Sequence, residues 1–313
     1  MFAILGSGFG LYGYLPALVG LGERIALPQR YRDRFNSRPE LAAFAPNVEW
    51  VPTEREALNR ATGVVLAVRP NDQCEWLLHC LALPHITSLV LEKPIATTPE
   101  AAATLLGALK QSHKLFRVGY TFRYADWAPH LRDSVVANPR APLFIEWSFL
   151  AHHFRYNLRN WKRFSAAGGG AIRFFGIHII ALLAELGYRD LEDSVAFGLD
   201  PDEIERWTAT FVGEHRPLCM VAINTRDSSS YFRIATSANA VQDQVLVHQH
   251  DPFQFKADYS ELRIDARVKV LREVCQSLWQ DETNHHERQF ATIALWRQVE
   301  LKTQFKRNNG IAT

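Results

Sequence analysis

The chain has 313 residues, 47% hydrophobic and 22% charged, with 35 Lys and Arg against 33 Asp and Glu for a formal charge of +2. At roughly 150 residues per domain this suggests two domains, each large enough to bury a core without a metal or disulfide staple. The near-neutral charge and ordinary composition argue against a disordered chain and against nucleic-acid or anionic-membrane partners.

Phe2 to Leu5 predicts a short buried strand that ends in Gly6-Ser7-Gly8-Phe9-Gly10, with a helix from Tyr12 to Leu21. Ile25 to Leu27 and Val48 to Val51 predict two further strands, and Thr62 to Val68 a strand that stops at Pro70. Glu75 to Leu83 reads as helix, and Ser88 to Leu91 as a buried strand closed by Glu92-Lys93-Pro94. Thr98 is a predicted N-cap with Pro99 at the first helical position. Leu115 to Gly119 is a last strand of this half. Strand and helix in alternation predict a parallel sheet covered on both faces, which takes ligands at the carboxyl ends of its strands.

The second half is richer in strands. Leu143 to Ala151, Trp207 to Val212, Leu218 to Ile223, Tyr231 to Ala235 and Gln244 to His248 are the candidates. Gly176 to Leu186, Val268 to Trp279 and about Glu287 to Lys302 read as helices. The expectation is an α/β chain: a dinucleotide-binding domain over 1–122 and an α+β domain over 123–313, built on a large, mostly antiparallel sheet. The nearest apolar run, Ile177 to Leu183, is short of the ~18 residues of a membrane span, so no membrane partner is expected. Cys74, Cys80, Cys219 and Cys275 lack metal or redox spacing and read as free thiols in a reducing cytoplasm. The opening MFAILGSGFG has no basic n-region, so no secretory leader is expected. No metal site is expected, since His248 and His250 share a strand face without a third ligand.

Glycines after a first strand let a pyrophosphate approach the backbone, and the helix that follows offers it free N–H groups. Gly6-x-Gly8 has this form, although Leu11 stands where a third glycine is usual. The second strand leads into Pro28-Gln29-Arg30, with no carboxylate before Asp33. Arg30 suits a 2′-phosphate, which favours NADP(H) over NAD(H). Lys93, at the carboxyl end of a strand, is a candidate to hydrogen-bond a substrate oxygen or to tune a neighbouring base.

In order along the chain come Gly6-x-Gly8, Leu15-Pro16-Ala17-Leu18, Glu92-Lys93-Pro94-Ile95-Ala96, Val118-Gly119-Tyr120 with Arg123, and Gly168-Gly169-Gly170-Ala171 leading to Gly176-Ile177-His178. This series resembles the glucose-fructose oxidoreductase / inositol dehydrogenase (Gfo/Idh/MocA) family. The resemblance implies a Rossmann domain followed by an α+β domain. It also implies NAD(P)-linked oxidation or reduction of sugars, inositols or nucleotide sugars, in dimers or tetramers joined through the open face of the second sheet. On the matching positions, Lys93 and His178 are the implied catalytic residues. Gly6, Gly8, Phe9, Gly10, Arg30, Asn71, Glu92 and Lys93 are the implied cofactor contacts. Tyr120, Arg123, Trp161 and Lys162 lie in segments that the resemblance puts near the substrate. A histidine suits the proton of an alcohol/ketone couple because its pKa lies near neutrality.

The chain departs from that pattern. Phe174 and Ala181 stand where the family commonly has aspartates around the histidine, and Gln73 where it often has a histidine. With Arg173, Phe174 gives the expected substrate site an aromatic wall and a cation instead of a polyol-binding carboxylate. Three functions stay open. They are hydride transfer to or from a secondary alcohol/ketone of a sugar, nucleotide sugar or related small molecule, reduction of an imine or conjugated carbonyl, and a non-catalytic binding or regulatory protein of the same shape.

Overall fold

The computed structural model describes residues 1–239, 242–254, 264–280 and 284–308. In chain order the elements are β1 (Phe2–Leu5), α1 (Leu15–Val19), β2 (Ile25–Pro28), α2 (Arg32–Asn36), β3 (Val48–Val51), α3 (Glu54–Arg60), β4 (Gly63–Leu66), α4 (Pro70–Ala82), β5 (Ser88–Leu91), α5 (Pro99–Ser112) and β6 (Leu115–Val118). They continue as α6 (Ala128–Ala137), β7 (Leu143–Leu150), α7 (His152–Arg155), α8 (Ile177–Glu185), β8 (Asp190–Asp200), β9 (Glu203–Val212), β10 (Cys219–Asn224), β11 (Arg226–Asn239), β12 (Gln242–Gln249), α9 (Val268–Gln276), α10 (His285–Lys302) and β13 (Gln304–Arg307). Two compact units result. One holds Met1–Ala96, Thr104–Tyr124 and the described part of Phe255–Thr283; the other holds Thr97–Ala103, Ala125–Gln254 and the described part of Asn284–Thr313.

The first unit is built on a six-stranded parallel sheet in the order β3-β2-β1-β4-β5-β6. Strands β1, β2, β4 and β5 are buried at every position, which is why FAIL, IALP, GVVL and SLVL read as unbroken apolar runs. The strand order reverses between β1 and β4, and the carboxyl ends at such a switch point form the usual ligand crevice. The helix after β1 opens with a π-type turn over Gly10–Tyr14 before α1. Pro16 explains the turn: it has no N–H to give the carbonyl four residues back, and its ring crowds that carbonyl. Helix α4 begins five residues before the predicted start, because Pro70 takes the first helical position, where no N–H is needed. Thr98 caps α5 as predicted, accepting from the Ala101 N–H at 3.3 Å. Helix α9 packs on α1 within this unit.

The second unit carries a seven-stranded sheet in the order β12-β11-β7-β10-β9-β8-β13. Pairs β7–β10 and β8–β13 are parallel and the other four antiparallel, so the sheet is mixed. Burial alternates along β9 and β10, the signature of a sheet with one packed face. Helix α8 packs on α10, and α10 on β8. Trp207 is fully buried there, its Nε1–H donating to Ser194 Oγ at 2.9 Å. Helical turns from Ser165 to Glu185 make a stretch of 21 residues that is long and apolar enough to cross a membrane. This corrects the expectation of a short apolar run. With 72% of its apolar window buried in the protein, the stretch forms part of the unit's core.

Candidate active site

Gly6 ends β1 with φ +130°, and a Cβ there would stand 2.1 Å from the Ala67 carbonyl oxygen beyond β4. Only glycine lets the two strand ends approach this closely. Gly8 is the opposite case, since a Cβ on it would meet no atom within 4 Å. A Cβ on Gly10 would meet Ile4 Cγ2 at 2.8 Å, so this glycine serves packing of the helix on β1. Open backbone at Gly8 and Phe9, leading into a helix at the switch point, fits a dinucleotide pyrophosphate.

At the end of β2, the Gly6 N–H donates to the Tyr31 hydroxyl at 3.1 Å. The Arg30 guanidinium lies 5.1 Å from the Tyr31 ring centroid and is ion-paired with Glu54, the first residue of α3. Phe9 and Tyr12 are in edge contact at 5.3 Å, and the Arg267 guanidinium lies 4.3 Å from the Phe9 ring centroid. Asp265 grips Arg267 through both carboxylate oxygens, at 2.8 and 2.7 Å.

Three motif segments meet behind this loop. Tyr14 donates to Glu92 Oε1 at 2.6 Å, and a Cβ on Gly119 would strike the Tyr14 hydroxyl at 2.7 Å and Glu92 Oε1 at 2.8 Å. Burial pushes the Glu92 carboxyl above its ordinary value, opposed by the charge of Lys93 and the Tyr14 hydrogen bond. Glu92 is thus a largely buried acid that ties the turn to the first helix. Gln73, 1% exposed, holds the same turn. Its Nε2 donates to the carbonyls of Glu92 (2.8 Å), Ile95 (3.1 Å) and Pro94 (3.3 Å), and its Oε1 accepts from the Glu92 N–H at 3.0 Å. The Lys93–Pro94 peptide is cis. Lys93 follows β5, and Asn71 is exposed in the first turn of α4, just past the end of β4. Tyr120 is buried, and its hydroxyl has no hydrogen-bond partner among the described residues. Burial also raises the pKa of that phenol. Arg123 is half-buried, 5.7 Å from the ring centroid of Tyr124.

In the second unit, Trp161 meets Phe174 edge-on at 5.3 Å, and Lys162 Nζ lies 5.3 Å from the centroid of the Phe174 ring. The predicted aromatic wall extends through Phe175 to Trp147 and Phe149, with centroids 5.6 and 4.9 Å apart. Arg173 is engaged elsewhere. It pairs with both Glu300 oxygens at 2.7 and 3.0 Å and donates to the carbonyls of Thr97 and Ser165 at 3.0 and 2.8 Å. His178 is 5% exposed on α8, its ring 6.4 Å from that of Phe253. His153 is buried on α7. Burial, aided by the charges of Arg163, Lys162 and His152, lowers its pKa to about 4.

The first unit therefore has the backbone cradle and strand order of a dinucleotide site, and its residues fit that group. No protein-family model and no curated protein sequence matches the chain. Solved structures do. KijD10, a 3-ketoreductase from Actinomadura kijaniata in complex with NADP and TDP-benzene, aligns over 98% of both chains with a TM-score of 0.72 at 14% identity. The WlbA dehydrogenase from Bordetella pertussis, in complex with NADH and UDP-GlcNAcA, aligns over 96% of both chains with a TM-score of 0.69 at 14% identity. A super-repressor mutant of Gal80p from Saccharomyces cerevisiae aligns over 96% of this chain and 93% of its own, with a TM-score of 0.70 at 11% identity. At such identities the likeness is one of fold. The chain has the two-domain α/β fold of the Gfo/Idh/MocA-type oxidoreductases.

Proposed function

We propose that the protein is an NAD(P)-dependent oxidoreductase that transfers hydride between nicotinamide and a secondary alcohol/ketone of a sugar, nucleotide sugar or related small molecule. The observation that carries this reading is the meeting of Tyr14, Glu92 and Gly119, which joins the helix after the glycine loop, the lysine turn and the Gly-Tyr segment at the carboxyl ends of the parallel strands. The neighbours with NADP and NADH support a nicotinamide cofactor of either kind. In this reading Gly6, Gly8, Phe9 and Gly10 hold the pyrophosphate, with Arg30 at the ribose and Asn71, Glu92 and Lys93 toward the nicotinamide.

When bound, the cofactor supplies or accepts the hydride. Lys93 donates a hydrogen bond to the substrate oxygen, and His178 takes or returns its proton. Tyr120, Arg123, Trp161, Lys162 and Phe174 orient the substrate. Arg173 is left out, because its donors are committed to Glu300, Thr97 and Ser165. Residues 1–122, joined by the described residues 264–280, serve the cofactor, and most of 123–313 serves the substrate. The reading includes a cytoplasmic homo-oligomer, dimer or tetramer, joined through the seven-stranded sheet. A cavity of about 200 Å³, lined by Glu146, Ser148, Thr208 and Tyr231 among others, lies on that sheet.

A second reading, reduction of an imine or conjugated carbonyl, is favoured by Phe174 and its contacts with Trp161 and Lys162. The test is titration of the protein with NADPH and NADH by tryptophan fluorescence, followed by turnover screens of keto-sugars, nucleotide sugars and cyclic imines. His178→Ala should keep cofactor affinity and lose turnover, and Lys93→Ala should lose turnover. Absence of binding by either dinucleotide would overturn the oxidoreductase reading and favour a binding protein of this fold, as a repressor neighbour illustrates.

A further inference from the structure

The glycine loop and the end of β2 are joined through one side chain. Tyr31 accepts from the Gly6 N–H at 3.1 Å, and its ring lies beneath Arg30 at 5.1 Å. A dinucleotide whose pyrophosphate lies over this loop carries its adenosine ribose along the end of the second strand, where an acidic residue reads a 2′-hydroxyl or an arginine reads a 2′-phosphate. Here the chain runs Leu27-Pro28-Gln29-Arg30, without an acid. The carboxylate comes from the neighbouring strand instead. Glu54 opens α3 three residues after β3, which pairs with β2 in parallel, and it holds Arg30 in an ion pair. The Glu54 side chain is 15% exposed and that of Arg30 67%, so the carboxylate is the fixed member of the pair and the guanidinium the movable one.

We propose that Glu54 is the specificity-determining residue between NAD(H) and NADP(H), acting by competing with the 2′-phosphate for Arg30. This rests on the dinucleotide reading above. A 2′-phosphate must draw Arg30 away from Glu54, exchanging one charge-assisted pair for another, so the gain from the extra charge is small. A 2′-hydroxyl leaves the pair intact and finds in Glu54 an acceptor close to Arg30. A chain built this way accepts both cofactors with little discrimination, and the identity of residue 54 moves the balance.

The test is fluorescence titration of wild type, Glu54→Gln, Arg30→Ala and the double variant with NADPH and with NADH. Glu54→Gln should tighten NADPH roughly fivefold, the scale of one exposed ion pair, and should not tighten NADH. The start of α3 survives this change, because Thr53 still accepts from the Glu56 N–H at 3.2 Å. Glu54→Asp, which keeps the charge but shortens its reach, should fall between wild type and Glu54→Gln. Arg30→Ala should weaken NADPH, and in that background the gain from Glu54→Gln should shrink, since there is no guanidinium left to release. An unchanged NADPH-to-NADH ratio in Glu54→Gln, or an equal gain in both backgrounds, would overturn the proposal. If the folded proteins bind neither dinucleotide, the dinucleotide reading itself falls and this inference falls with it.

Discussion

The Tyr14 hydroxyl donates a 2.6 Å hydrogen bond to the carboxylate of Glu92, 78 residues further along the chain. The pair fastens the first helix to the turn that carries Lys93, and its hydrogen bond opposes the burial that raises the Glu92 pKa. Tyr14→Phe should cost about 1–3 kcal/mol in urea unfolding, because it leaves a buried carboxylate oxygen without its donor. The pH dependence follows from the raised pKa of Glu92. A carboxyl that holds its proton longer in the folded than in the unfolded state is most favourable to stability at low pH, and its contribution falls as pH rises from the ordinary carboxylate range to the folded value. Removing the Tyr14 donor raises Glu92 further and should extend that fall to higher pH. Glu92→Gln should flatten it.

Two glycines of the loop after β1, Gly6 and Gly8, should separate folding from binding. Gly6→Ala places a methyl group 2.1 Å from the Ala67 carbonyl oxygen at φ +130° and should destabilise the protein by ~3 kcal/mol or more. Gly8→Ala meets no atom within 4 Å and should stay within about 1 kcal/mol of wild type. In the proposed site its methyl group takes space that the pyrophosphate would need, so dinucleotide affinity should drop while the melting curve stays in place. Retained affinity in Gly8→Ala would place the cofactor elsewhere.

His153 gives a second pH signature of opposite sign. Its pKa is depressed, so the folded state releases its proton before the unfolded state does. The stability it lends is complete above its ordinary value of 6.5 and is lost as pH falls toward about 4. His153→Phe, which can keep the ring contacts to Phe154 and Phe175, should reduce the loss across that interval in stability measured against pH.

Arg173→Leu should act on stability rather than on ligand affinity. It strips Glu300 of a bidentate partner and leaves, among the described residues, only the Trp296 Nε1–H, at 2.9 Å, on that carboxylate. The expected cost is about 2 kcal/mol, given that both side chains are only partly buried. NADPH and NADH titrations should be unchanged.

The two halves of the chain differ in how legible they were as sequence. β1 and β5 fall on their predicted bounds, because central parallel strands are compact apolar runs between turns, and the half-buried edge strand β3 does so as well. β8 went unpredicted. It opens Asp190-Leu191-Glu192-Asp193, and register shifts near Leu191 and Gly198 break the alternation by which a one-sided strand is recognised. α3 and α6 are short and rich in polar residues, so neither gave a clear apolar period. At the candidate site, the motifs around Gly6, Gly8, Lys93, Trp161 and Lys162 stand out in the sequence, and Phe174 does contact Trp161 and Lys162. The partners of the motif residues do not stand out. Tyr14, Tyr31, Glu54 and Gln73 are ordinary residue types whose roles come from contacts between distant strand ends, and no local spacing announces them. The ion pair of Arg173 is hidden in the same way, since Glu300 lies 127 residues away.

Gln73 stands where the resembled pattern often has a histidine, yet its amide reads both polarities of the lysine turn. That dual demand narrows what can replace it. Glutamate would set negative oxygen against the carbonyls of Glu92, Pro94 and Ile95. Asparagine is one methylene too short for the same span, and leucine would leave those carbonyls and the Glu92 N–H unanswered. The presentation of Lys93 is therefore outsourced to a side chain on the preceding helix, and a Glu-Lys-Pro tripeptide alone says little about whether its lysine is held ready.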